Sequence, residues 1–238
     1  MSRSLNSDVF AEFDPHARAY RDTVDGAVRF ADESVEEFAR QKVDLMLAAT
    51  ARHLGEPARL AMLDVGCGIG LAERSLASRV RTVVAGDVSA AMIEEARGLV
   101  PEVKFIHLPP RGLPFDDGAF DVQFCYCVYH HVPLHERRAM VAELARVVRP
   151  GGLLFAFEHN PYNPVTRKIV RDCPLDRDAV LLAPRETRDL LRGADLEVIE
   201  QRYYLFFPKL LGFLRRIEPW LGWLPLGGQY YVVARKPR

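Results

Sequence analysis

The sequence predicts an α/β protein: a doubly wound, mostly parallel sheet with one antiparallel strand near its C-terminal end and a helical lid ahead of it. Three observations lead there. Between residues 58 and 160, short strand-like apolar runs alternate with runs of helical periodicity, a rhythm that demands right-handed crossovers and a parallel sheet covered on both faces. A stretch almost bare of side chains, LDVGCGIGLAE at 63–73, joins the first strand to the helix behind it. The length of 238 residues, 49% hydrophobic and 27% charged, suffices to bury a full core in one elaborated domain.

Along the chain, FDPHARAYRDTVDG opens with turn chemistry at Asp14 and Pro15 and then offers one or two short helices. In SVEEFARQKVDLMLAATARHLG, Ser34 and Glu37 have capping-box spacing, and Val35, Phe38, Val43, Leu47, Ala51 and Leu54 recur near helical period until Gly55. LAMLDV is the first strand, LAERSLAS a helix, TVVAGDV the second strand and SAAMIEEARGLV a helix capped by Ser89. VKFIHL and FDVQFCYCVYH are the third and fourth strands, LHERRAMVAELARVV a helix, and RPGGLLFAFEH a turn into the fifth strand. Prolines at 161, 164 and 174 then break the rhythm around a short helix from Val165 to Arg171. PRETRDLLRGADLEVIEQRYYLFF supplies a helix and a strand, PKLLGFLRRIEPWLGWLP an apolar amphipathic segment, and GGQYYVVARKP a last strand.

Lys plus Arg and Asp plus Glu each total 32, so the formal net charge is zero and no global field recruits nucleic acid or anionic membrane. The four cysteines include no CxxC pair, which points to a reducing, cytoplasmic setting. Cys125 and Cys127 share one face of the fourth strand and read as small buried hydrophobes, since zinc would need two further ligands that the sequence does not supply. No metal is expected. No apolar run reaches the roughly 18 residues of a membrane span.

The glycine loop carries the chemistry. Placed between a first strand and its helix, it sits at the carboxyl edge of the sheet, where open α/β folds bind ligands, and glycine lets a ligand approach the main chain directly. Spacing decides which ligand. The dinucleotide fingerprint G-x-G-x-x-G places its third glycine three positions after the second; here Gly66, Gly68 and Gly70 alternate and Asp64 precedes them. A pyrophosphate gains nothing from that carboxylate, whereas a ligand carrying positive charge does. Asp87, at the end of the second strand, stands where an acid accepts both hydroxyls of a ribose.

LDVGCGIG, then GDVS, then LPFDDGAFDVQFCYCVYHHV, then LARVVRPGGLLFAFEHN resemble, in order and spacing, the successive motifs of class I S-adenosylmethionine-dependent methyltransferases over about residues 58–160. The resemblance implies a Rossmann-like fold, S-adenosylmethionine as methyl donor and S-adenosylhomocysteine as product. It also implies positions for the cofactor. The loop of Gly66, Cys67, Gly68 and Gly70 would pack against its methionine and adenosine, with Asp64 near the ammonium end. Asp87 would accept the ribose hydroxyls, Val88 and Met92 would flank the adenine, and Pro110, Arg111 and Gly112 would face its edge. Cys127 would line the methionine. Tyr20 matches an N-terminal aromatic that closes over the cofactor, where a ring beside the sulfonium gains about 0.5 to 2 kcal/mol. The family often has an acid before the LPF run; Pro109, Pro110 and Arg111 stand there instead, which shifts adenine recognition onto main-chain groups.

Transfer from a sulfonium is an in-line displacement in which alignment alone can be worth roughly 7 to 11 kcal/mol. A base is needed only when the acceptor holds a proton at neutral pH. Glu158, His159 and His131, near the ends of the fourth and fifth strands, are the catalytic candidates; His16, His130, Asn160, Tyr162 and Arg167 are the candidates for holding the acceptor. The aromatic and leucine-rich segment from Tyr203 to Pro225 suits a lid, a dimer face or an interfacial membrane helix, ranked in that order. The expected function is methyl transfer to O or N of a small, hydrophobic or aromatic molecule, with specialised biosynthesis as a setting. The alternatives are C- or S-methylation of a lipid-like or quinone-like acceptor, and a non-catalytic binding protein that keeps the fold. The expected partition is one methyltransferase domain, 1–238, with a helical lid (1–55), a cofactor-binding core (56–160) and an acceptor-side cap with the final strands (161–238), as monomer or homodimer. Nucleic acid is disfavoured as a partner by the neutral charge and by the lack of an Asn/Asp-Pro-Pro-aromatic motif after the fourth strand.

Overall fold

Every residue of the first strand, β1 (Ala61–Val65), is buried, because its apolar side chains alternate between two covered faces. It lies at the middle of a seven-stranded sheet of order β3-β2-β1-β4-β5-β7-β6 in the computed structural model, which describes residues 34–238 together with 14, 17–20, 23, 24 and 26. The other strands are β2 (Thr82–Asp87), β3 (Lys104–His107), β4 (Phe120–Tyr126), β5 (Val148–His159), β6 (Glu197–Tyr204) and β7 (Gln229–Arg235). β1 pairs in parallel with β2 and β4, and only β7 is reversed, antiparallel to β5 on one side and β6 on the other. This is the Rossmann-like sheet with one antiparallel strand that the sequence predicts.

The helices are α1 (Val35–His53), α2 (Glu73–Leu76), α3 (Ala90–Leu99), α4 (Arg137–Val147), α5 (Pro164–Asp172), α6 (Pro184–Arg192) and α7 (Glu218–Leu221). Period-two alternation divides the core between two faces. Phe124, Phe155, Phe157, Tyr231 and Val233 pack on one side with Val43, Met46 and Leu47 of α1. Cys125, Leu154, Ala156, Val232 and Ala234 pack on the other with Val141 and Leu144 of α4 and Leu191 of α6. Truncating a buried phenylalanine such as Phe155 to alanine would cost roughly 3 to 5 kcal/mol.

Ser34 caps α1 by accepting from the Glu37 amide at 3.3 Å, while Glu37 turns its carboxylate to Arg40 instead of closing a capping box. Ser89 caps α3, accepting from the Met92 amide at 3.1 Å. Three expectations change. The helix after the glycine loop is a single turn that tightens into a 3-10 turn over Ala77–Arg79. β4 stops at Tyr126, earlier than its apolar run suggests, because Cys127 adopts a left-handed backbone (φ 59°) and Tyr129–His131 coil into a 3-10 turn. The amphipathic segment is a 3-10 helix, Lys209–Ile217, bent at Leu211, followed by the short α7. Leu210, Phe213, Trp220 and Trp223 on it are 87%, 73%, 72% and 74% exposed. None of the described helices is long and apolar enough to cross a membrane.

Candidate active site

The strand order reverses between β1 and β4, and ligands of open α/β sheets bind beyond the carboxyl ends of strands at such a point. The glycine loop leaves β1 there. The amides of Gly66 and Cys67 both donate to the Gly86 carbonyl, at 2.7 and 3.1 Å, which ties the loop to β2. A Cβ on Gly66 (φ +88°) would lie 2.4 Å from Val128 Cγ2, whereas at Gly68 it would meet no described atom within 4 Å. Gly68 thus shows bare backbone to open space. Gly70 does different work: a Cβ there would stand 2.9 Å from Phe105 Cζ, so its absence lets α2 and α3 close on β3.

Asp87 is held from both sides. Its Oδ2 accepts from the Gly68 amide and its Oδ1 from the Ser89 amide, each at 2.9 Å. Burial raises its pKa and these backbone donors pull it back. Each oxygen keeps a further lone pair for a hydroxyl. Beneath the loop, Asp64 of β1 and Glu73 of α2 are both buried, and neither Asp64 Oδ1 nor either Glu73 oxygen has a hydrogen-bond donor. Desolvation first, and then the Glu73 charge, push Asp64 well above the usual carboxylate range; desolvation likewise pushes Glu73 up to about 7. Two acids without donors retain a proton between them until a cation arrives. In the sequence Glu73 is simply part of the helical run LAERSLAS. Its signal was a glutamate nine positions after Asp64, on the inward side of a helix that starts directly behind the loop.

One cavity of about 1220 Å³ runs from the glycine loop to the ends of β4 and β5. Its wall includes Tyr20, Asp64, Gly66, Cys67, Gly68, Asp87, Val88, Met92, Pro110, Arg111, Gly112 and Cys127, all expected at the cofactor. Gly70 is not on that wall, for the packing reason above. Because Cys127 lies past the end of β4 with a positive φ, its thiol faces the cavity instead of the core face it would share with Cys125 on a longer strand. Lys42 donates to Cys127 Sγ at 3.3 Å. Burial alone would raise this thiol, but the Lys42 ammonium and His159 outweigh it and bring it to about 7.

His130, His131 and His159 line the other end of the cavity. Glu158 does not. It is fully buried, accepting from the Tyr129 amide at 2.8 Å and from His130 Nδ1 at 2.5 Å, so it orients the 129–131 turn from behind. Burial lowers the pKa of His130, yet the Glu158 and Asp176 carboxylates more than compensate and hold it near 10. His131 is pushed down to about 3, by burial first and then by the charge of His130. His159 Nδ1 lies 3.2 Å from Gln229 Nε2.

The remaining acceptor candidates stand away from the wall. Asn160 is buried and staples its loop to the turn that leads into β7, donating to the Pro225 and Gly227 carbonyls and accepting from the Tyr162 amide. Tyr162 is 60% exposed, and neither it nor Arg167 lines the cavity. His16 lies outside the described residues. Asp176, absent from the sequence-derived set, reaches the cavity from the 3-10 turn Pro174–Asp176.

These residues fit S-adenosylmethionine. A bare Gly68 leaves room for a ligand against the backbone, Asp87 presents a fixed pair of acceptors for a diol, and the donorless pair of Asp64 and Glu73 calls for a cation such as the methionine ammonium. Residues 63–156 match the family described as a methyltransferase domain. The chain is 27% identical over 206 residues to an O-methyltransferase, resE, of Aspergillus sclerotiorum, covering 82% of this chain and 77% of that protein. It is 34% identical over 128 residues to demethylmenaquinone methyltransferase of Clavibacter sepedonicus, spanning about half of each, 52% and 51%. Its fold matches the magnesium protoporphyrin IX methyltransferase of Synechocystis PCC 6803, solved with bound S-adenosylmethionine, at a TM-score of 0.65 and 17% identity over 99% of this chain and 100% of that one.

Proposed function

We propose that this chain, which belongs to the class I S-adenosylmethionine-dependent methyltransferases, methylates an oxygen or nitrogen of a small apolar or aromatic acceptor. The observation that carries this reading is the continuity of the cavity, in which the cofactor loop and three histidines share one chamber whose outer wall is apolar, with Phe38, Leu134, Val180, Phe206 and Phe207. An acceptor with little charge would be desolvated there at low cost. Bound S-adenosylmethionine supplies the methyl group: the acceptor's lone pair forms the new bond to carbon, the sulfur–carbon bond breaks, and its electron pair leaves on the neutral thioether of S-adenosylhomocysteine.

The protein's share is binding, alignment and proton handling. Asp87 holds the ribose and the Asp64–Glu73 pair answers the ammonium, which together fix where the methyl points. Tyr20 closes over the same end; it packs with Ala17, Ile69 and Met92 against the loop. At the acceptor end, His159 is the proton acceptor for a hydroxyl substrate. His131 is a weak base at neutral pH, and Glu158 acts on His130 from behind, as a positioning residue. The 161–238 segment serves as the acceptor-side cap, with the 209–221 helices as a lid beside Phe206 and Phe207. The O-methyltransferase among its relatives favours oxygen over nitrogen; the demethylmenaquinone relative keeps C- or S-methylation of a lipid-like or quinone-like acceptor as the second reading.

The test has two stages. S-adenosylhomocysteine at about 100 times its dissociation constant should add roughly 2.7 kcal/mol of stability and raise the unfolding midpoint by roughly 5 to 10 °C, whereas NAD should not. A panel of phenols, hydroquinones and hydroxylated polyketides is then followed by S-adenosylhomocysteine release. Turnover of polar amines or peptides alone would overturn the assignment of a small apolar acceptor.

A further inference from the structure

At the acceptor end of the cavity, two short turns bring together three ligand-type atoms that the cofactor reading does not use. His130 Nε2 and His131 Nε2 lie 3.5 and 3.4 Å from the same oxygen, Asp176 Oδ1. All three atoms fall within 4.8 Å of one another. A tetrahedral ion with bonds of about 2.0 to 2.2 Å sets ligand-to-ligand edges of roughly 3.4 Å. The two imidazole-to-carboxylate separations have that length.

His130 Nε2 is buried and has no hydrogen-bond partner. An imidazole nitrogen buried without a hydrogen bond is costly unless a further partner satisfies it. Its other nitrogen, Nδ1, is engaged by Glu158 at 2.5 Å. A carboxylate on the far nitrogen orients the ring and keeps the Nδ1 proton in place, so that an ion at the cluster would displace only the Nε2 proton, the arrangement typical behind metal-bound histidines. The two turns are also locked together without any ion. The Val180 amide donates to the His130 carbonyl at 2.9 Å, and Arg137, through Nη2, donates to the Val180 carbonyl at 2.8 Å.

We propose that His130, His131 and Asp176 bind a divalent transition-metal ion of the zinc type, leaving its fourth position open to the cavity. Two imidazole nitrogens and one carboxylate oxygen suit zinc, cobalt or iron(II) better than magnesium or calcium, which favour sets of oxygen ligands. Charge agrees, since Glu158 and Asp176 place two carboxylates around the imidazoles. The competing way to satisfy them is a second proton on His130, which requires no ion and predicts no metal binding. With the open position facing the chamber, an acceptor oxygen there would release its proton more readily. This would favour hydroxyl or phenol acceptors over amines. That consequence rests on the methyltransferase reading; the binding of the ion does not.

The experiment uses the full chain, stripped with chelator and titrated with Co²⁺, which reports a low-coordinate nitrogen and oxygen site by visible ligand-field absorption. One equivalent per chain, displaced by Zn²⁺, is expected. His131→Ala and Asp176→Asn should each weaken it by roughly 100-fold or more. S-adenosylhomocysteine thermal shifts on the same samples report folding and cofactor binding independently, so a variant that fails to fold is set aside and the other decides. Absence of the cobalt absorption overturns the proposal, and so does full-strength binding in a folded variant, which would place the ion on surface histidines. Cobalt bound as expected by a protein that shows no S-adenosylhomocysteine shift would uphold the site and sink the methyltransferase reading instead.

Discussion

Replacing Glu73 with glutamine should stabilise the ligand-free protein while weakening its hold on the cofactor. Glu73 titrates near 7 in the fold against 4.5 for a free side chain, chiefly because burial strips water from its charge. The groups around the pair are Asp64 on β1, Glu73 itself on α2, Asp87 on β2 and Lys42 on α1. Between pH 4.5 and about 7 the folded state binds more protons than the unfolded chain, so stability falls as pH rises through that window. Above it the full penalty applies, roughly 3 kcal/mol. Glu73→Gln removes the ionisation and leaves an amide that can donate to Asp64. Its midpoint should exceed that of the parent by roughly 6 to 12 °C at about pH 8.5, and the gap should close as the pH falls toward 4.5. Calorimetric titration of the same variant with S-adenosylhomocysteine should show lost affinity, because the ammonium then meets one carboxylate in place of two. A gain in midpoint that is equal at pH 5 and pH 8.5, or a loss at pH 8.5, would refute the reasoning.

Asp87→Ala should cost roughly 1.5 to 3 kcal/mol of cofactor binding through lost charge-assisted hydrogen bonds; unchanged calorimetric affinity would show that the ribose sits elsewhere. Gly66→Ala drives a methyl to 2.4 Å from Val128 Cγ2 at a backbone φ of +88°, and should lower both stability and cofactor affinity in thermal-shift assays, with Val128→Ala partly restoring them. Glu200, held near 2 by the hydrogen bonds of Tyr231, His53 and Arg52 against the opposing effect of burial, supplies stability that is present above pH 4.5 and lost as the pH falls through about 2. Glu200→Gln should therefore cost roughly 2 to 3 kcal/mol at neutral pH and nothing near pH 2, by urea unfolding. Both tryptophans of the chain, Trp220 and Trp223, lie on the exposed segment proposed as a lid, so the intrinsic emission should move to shorter wavelength when cofactor and acceptor fill the cavity. A shift seen only on concentrating the protein, or only with anionic vesicles, would make the segment a dimer face or a membrane contact.

Much of this architecture is legible in the sequence, for physical reasons. Five near-continuous apolar runs separated by helical ones leave little choice but a parallel sheet, and the spacing of Gly66, Gly68, Asp64 and Asp87 encodes a local geometry of strand, loop and strand. The cavity wall around the glycine loop follows from such local relations. The histidine end of the cavity does not. Asp176 meets His130 and His131 from a turn more than forty residues away, a contact that nothing in the pattern of either segment announces. Glu158 shows the same limit from the other side. As the twelfth residue's neighbour at the end of β5 it alternates into the core, and only the position of the 129–131 turn decides that its oxygens meet His130 and not the chamber. For Cys127 the motif resemblance, which sets it on the cofactor wall, holds where strand alternation alone does not, since a left-handed residue ends the period-two rule that would put it beside Cys125. Segment 209–217 has apolar residues at helical spacing, but Pro208 and the bend at Leu211 leave it in tighter 3-10 turns.

The reversed strand β7 has a consequence for synthesis. It is the last of the seven strands to leave the ribosome, yet it occupies an interior slot between β5 and β6. Until residues 229–235 emerge, β5 presents an unpaired edge over its seven residues Leu153–His159, and β6 has no strand to join. Such an edge is a template for pairing with another nascent chain. The hazard is brief at ordinary elongation rates but becomes lasting if translation stalls after Tyr204. Ribosome-associated factors that shield open sheet edges would therefore matter more for this protein than for one whose sheet is completed in chain order.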